Sequence, residues 1–171
     1  VANPLAPAKT VVVSLDDTST NGQVDVYVGA KTTIGNAVQQ AGLAGGTTYG
    51  IRVNSTGSTN TEVGNLASPN ETGLGLINGV GTFELVNLGD VKAKTGAQLN
   101  SESITAGVTN WLRPEDGAWS LDGKTFYFVT TANSTSASRL WAMEFTNPAS
   151  PELGGTVKML LNGSEGQNML D

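Results

Sequence analysis

The chain has no cysteine and no histidine among its 171 residues. That excludes disulfide staples, thiolate nucleophiles, imidazole bases and zinc sites of the Cys/His kind. Any metal must be held by oxygen, which favours hard cations such as calcium. Charge is also scarce, at 14% of residues, against roughly a quarter in an average domain. Nine Lys and Arg face fifteen Asp and Glu, for a net charge of −6. Nucleic acid is therefore not an expected partner, because phosphate backbones are bound by clustered cations; metal ions suit the balance better. The apolar runs are only a few residues long, so no transmembrane segment is expected.

Ser, Thr, Asn and 22 glycines take the place of charge. Thr packs well on pleated surfaces, while Gly and Asn supply left-handed turn positions, so the mixture suits turn-rich β structure. It leans towards an exported bacterial protein, secreted, periplasmic or on the cell surface. "VANPLAPAKT" reads as a mature or trimmed start. Four Asn-X-Ser/Thr sequons, at Asn54, Asn70, Asn133 and Asn162, are at the level that chance produces in such a composition.

Strands are expected at Lys9–Leu15, Val24–Gly29, Gly46–Asn54 and Gly81–Asp90, with Asn21-Gly22 as a tight-turn signal. Ile34–Leu43 reads as one short helix ending at Gly42, and Gly96–Val108 as a helical turn or two. Ser55–Gly79 has few apolar anchors and reads as an extended surface loop. From Thr109 onward come a hairpin-like stretch and the strands Thr125–Thr130, Arg139–Phe145 and Val157–Leu161. Short antiparallel strands at this spacing fit a β-propeller blade, and a sandwich gives a similar spacing. The expected class is all-β, one region over 1–171, with one or two short helices in loops.

"NWLRPEDGAW" (Asn110–Trp119) gathers the chemistry: Arg113, Glu115 and Asp116 lie between two tryptophans. Pro114 biases Arg113 towards an extended backbone, which would project Arg113 and Glu115 to one side. A guanidinium can grip a phosphate while a carboxylate holds a cation that the same phosphate touches. The plainer reading is that Arg113 pairs with Glu115 or Asp116 and Pro114 shapes a turn. Trp111, Trp119 and Trp141 are expected to serve packing rather than sugar stacking. "DDTSTNG" (Asp16–Gly22) lacks the spaced ligands of an EF-hand and reads as a solvated turn.

"NWLRPEDGAW", followed by "FYFVTT", "SRLWAMEF", "GGTVKMLLNG" and a final "MLD", resembles the PhoX-type bacterial alkaline phosphatases and their secreted relatives. "GQVDVYVGAKTTIGNAVQQAGLAGGTTYGIRV" (Gly22–Val53) resembles the segment that precedes these motifs in the relatives. The resemblance implies an interior fragment of a secreted β-propeller, with its active site at one end of the central channel. It implies hydrolysis of phosphate monoesters at a cluster of calcium with iron. On that basis Arg113 would stand near the bound phosphate, Glu115 would be a metal ligand, and Asp171 would begin a metal-binding Asp-Asn pair. No cysteine matches the family's thiolate ligand to iron. A part-propeller would also leave open strand edges, to be covered by the rest of the propeller or by neighbouring chains. The remaining expectations are a non-catalytic exported surface, matrix or assembly module, and a calcium-dependent module binding anionic sugars or phosphate.

Overall fold

The computed structural model describes residues 1–3, 6–64, 71–132 and 138–166. They form an all-β array of eight strands: β1 (Lys9–Leu15), β2 (Val24–Ala30), β3 (Thr47–Val53), β4 (Val80–Gly89), β5 (Pro114–Trp119), β6 (Thr125–Thr130), β7 (Arg139–Phe145) and β8 (Gly155–Leu161). All pairings are antiparallel, in the order β1-β2-β3-β4-β8-β7-β6-β5. The chain thus folds as two four-stranded meanders, the strand count of a propeller blade. They join where Val80–Phe83 of β4 pairs with Gly155–Lys158 of β8. Two helices, α1 (Ala37–Gln40) and α2 (Gly96–Thr105), lie in connections. Each begins with a capping box, Asn36 with Gln39 and Thr95 with Gln98, which satisfies the free N–H groups of the first turn. No helix among the described residues is long and apolar enough to cross a membrane.

Period-two alternation builds the core. Val11 and Val13 of β1, Val24 and Val26 of β2, and Ile51 and Val53 of β3 are buried on one face. Phe126 and Phe128 of β6 and Trp141, Met143 and Phe145 of β7 meet them from the other meander. Trp111 packs edge-on against Phe128 and Trp141, with ring centroids 5.1 Å apart in both pairs. This geometry places the positive ring edge over the negative face. Trp119 packs on Phe126 and Phe145. All three tryptophans therefore do serve packing.

The ends of the sheet curl towards each other into a nearly closed, barrel-like form. Asn3 donates its N–H to Val11 O at 2.7 Å, so the first residues run along the outer edge of β1. Trp119 Nε1 donates to Val1 O at 3.1 Å, and Asn3 Nδ2 to Gly123 O at 2.7 Å, which ties that arm to the β5–β6 hairpin. Trp111 N donates to Gly22 O at 2.7 Å, joining the β1–β2 turn to the chain ahead of β5. The contact is so close that a Cβ on Gly22 would lie 2.5 Å from Pro114 Cδ. Of the open strand edges expected of a part-propeller, the one at β1 is thus occupied by the chain itself.

The segment after β3 is not the surface loop expected from its composition. Leu74 and Leu76 belong to the core, and Glu62 and Glu71 are buried. Few apolar anchors suffice here because the two carboxylates find buried partners.

Candidate functional site

The backbone of Arg113 is pinned on both sides: its N–H donates to Thr18 O, and its carbonyl accepts from Thr131 N, each at 3.2 Å. Arg113 is not extended, as Pro114 led us to expect, but left-handed, with φ 55°. The tertiary hydrogen bonds override the local preference. Its guanidinium grips Asp17 bidentately, Nε to Oδ1 at 2.9 Å and Nη2 to Oδ2 at 3.2 Å. Glu115 is a further neighbour, with Oε1 3.5 Å from Arg113 Nη2, and it also accepts from the Thr131 hydroxyl. Asp116 is exposed, with φ 35°, in a bulge where β5 slips against β6. The structure therefore brings Arg113 and Glu115 together but gives Arg113 a main partner, Asp17, that sequence spacing did not suggest. Asp171 lies outside the described residues, as do the sequons at Asn70 and Asn133.

A divalent cation fits poorly at Glu115, because the adjacent guanidinium repels it from the same carboxylate oxygen. Among the described residues no group of three or more Asp or Glu is placed to hold a metal ion.

A second charged cluster was missed at the level of sequence. Arg139, at the start of β7, is 1% exposed. Its Nη1 donates to Glu62 Oε1 at 2.8 Å and to Glu71 Oε2 at 2.7 Å. Glu62 also accepts from Thr130 Oγ1 and Leu112 N, each at 2.8 Å. Glu71 accepts from Val63 N at 2.8 Å and Gly73 N at 3.2 Å. Trp141 Nε1 donates to Thr130 Oγ1 at 2.8 Å, which orients that hydroxyl towards Glu62. Burial is the largest influence on both carboxyls and pushes them above the usual range, against the pull of Arg139 and the N–H donors. The cluster fastens the β3–β4 connection to β6 and β7. One signal was available: Arg139 is in phase with Trp141, Met143 and Phe145, so alternation places it on the buried face.

A third set lies under α2. Asp16, Gln23 and Asp25 line a pocket of about 470 Å³ with Gly96, Leu99 and Asn100. Burial, and then the charge of Asp16, push Asp25 up to about 7. Burial and Asp17 raise Asp16 in the same direction. "DDTSTNG" is the largely exposed turn expected from its sequence, with only Gly22 of the seven buried, and Asp16 at its start reaches the rim of the pocket.

Set against protein-family models, curated proteins and solved structures, the chain matches none of them.

Proposed function

We propose that this chain is a non-catalytic β module of an exported protein, acting as a surface, matrix or assembly element. The observation that carries this reading is the commitment of the conspicuous charges to the fold. Arg113 spends Nε and Nη2 on Asp17 at 2.9 and 3.2 Å, and Arg139 bridges two buried glutamates. A phosphate would have to displace a bidentate carboxylate before Arg113 could grip it. The test is hydrolysis of a chromogenic phosphate ester, with and without chelator. No chelator-sensitive turnover is expected, and turnover that chelator and Glu115→Gln both abolish would overturn the reading.

The second reading is the phosphomonoesterase implied by the PhoX resemblance, with Arg113 on the phosphate and Glu115 and Asp171 towards calcium. One observation favours it: Arg113 and Asp116 both adopt positive φ within four residues, beside a half-buried carboxylate. Backbone strain of this kind concentrates at functional sites. The same assay separates the two readings.

A further inference from the structure

Asp16, Gln23 and Asp25 are brought together by the register of one hairpin. Ser14 lies opposite Asp25, and Asp16 N donates to Gln23 O at 2.9 Å, which extends the ladder by a further pair. Alternation then puts Asp16, Gln23 and Asp25 on the face away from the valine core. Asp16 and Asp25 are diagonal neighbours across the pair, with Cα atoms about 7–8 Å apart in such a register. The N-terminal half of α2 lines the same pocket, with Gln23 buried, Asp25 half-buried and Asp16 exposed at its mouth; Asn100 Nδ2 donates to Asn21 O at 3.3 Å, which holds the helix beside the turn.

Two buried polar atoms on this pocket have no partner among the described residues: Gln23 Nε2 and Asp25 Oδ1. Gln23 is only 3% exposed. A polar group buried this deeply is costly unless something satisfies it. We propose that the pocket binds one hard divalent cation, calcium, through the carboxylates of Asp16 and Asp25 and the side-chain carbonyl of Gln23. A half-turn of the Gln23 amide exchanges its oxygen and nitrogen positions and presents the oxygen to the ion. Two carboxylates and a carbonyl form an all-oxygen donor set that calcium accepts in irregular geometry, with water completing the shell. Magnesium suits the site less, since it demands a near-ideal octahedron and sheds water reluctantly. The neighbouring Arg113 does not compete, because Asp17 engages its guanidinium. The site is separate from Glu115 and does not depend on the module reading above.

The test is calorimetric titration of the chelator-stripped chain with calcium chloride, alongside thermal melting. One calcium per chain is expected, with a Kd of about 10⁻⁵–10⁻³ M, and a melting temperature that rises with calcium. Asp16→Asn and Asp25→Asn should each weaken binding at least about tenfold, while Glu115→Gln and Glu144→Gln stay within about twofold. The proposal is overturned by absence of heat and of any melting shift at ~10 mM calcium. It is equally overturned if Glu115→Gln abolishes binding and Asp25→Asn keeps it. Should the aspartate variants fail to fold, the native chain carries the test by nuclear magnetic resonance. Calcium should shift the side-chain amide signals of Gln23, and unmoved signals at saturation would overturn the site.

Discussion

Replacing Arg139 by leucine leaves Glu62 and Glu71 without the cation that neutralises them. Their side chains are each 1% exposed, and the lost contacts are 2.8 and 2.7 Å long. Breaking a buried ion pair from one side typically costs about 3–5 kcal/mol, because an uncompensated charge stays behind. In a chain of this size each kcal/mol moves the melting temperature by roughly 2–4 °C, so Arg139→Leu should melt about 10 °C lower at pH 7. The pH dependence sharpens the test. In the variant both carboxyls titrate still higher in the folded state than in the unfolded chain, so the native state holds protons that the unfolded chain releases. Stability therefore falls as pH rises, and the gap between wild type and variant widens from pH 5 to pH 8. Adding Glu62→Gln and Glu71→Gln removes the stranded charges but keeps oxygen acceptors for the N–H groups of Leu112, Val63 and Gly73. That triple variant should regain more than half the lost stability. Thermal unfolding followed by tryptophan fluorescence at pH 5 and pH 8 compares wild type, Arg139→Leu and the triple variant. An Arg139→Leu variant melting within about 2 °C of wild type at both pH values would refute the reasoning.

Gly22→Ala forces a Cβ to within 2.5 Å of Pro114 Cδ and 2.8 Å of Trp111 O. It should cost about 1–3 kcal/mol in urea unfolding, whereas Gly96→Ala, with open space at its Cβ, should cost nothing. Asp25, pushed up to about 7 from an ordinary 3.8, keeps a proton in the folded state that the unfolded chain loses. In chelator-containing buffer, stability should therefore fall between pH 4 and 7 by at most roughly 4 kcal/mol and level off above, and Asp25→Asn should flatten that slope. Asp17→Ala removes a partly exposed ion pair with Arg113 and should cost less than about 1 kcal/mol, less still at high salt.

The strands were legible wherever alternation was clean. Lys9–Leu15, Thr125–Thr130 and Arg139–Phe145 form strands with the bounds expected of them. Both short helices fall inside the stretches expected of them, but α1 is only Ala37–Gln40 within Ile34–Leu43, because the capping box at Asn36 and the positive-φ Gly42 shorten it at both ends. Ser55–Gly79 was misjudged because composition reports only apolar anchors. Its anchors are Glu62 and Glu71, whose partner lies 77 and 68 positions away. Arg113 was placed by a nearest-neighbour argument, but its partner Asp17 is 96 positions away.

Residue types and their period of two were enough to determine an all-β chain, its turn positions, and an oxygen-only donor set for any metal. Which carboxylate meets which cation was decided only when the β1–β2 turn closed against the chain ahead of β5 and the β3–β4 connection folded onto β7. Period and propensity act over a few residues, whereas pairing of buried charge depends on distances that exist only after the sheet has curled.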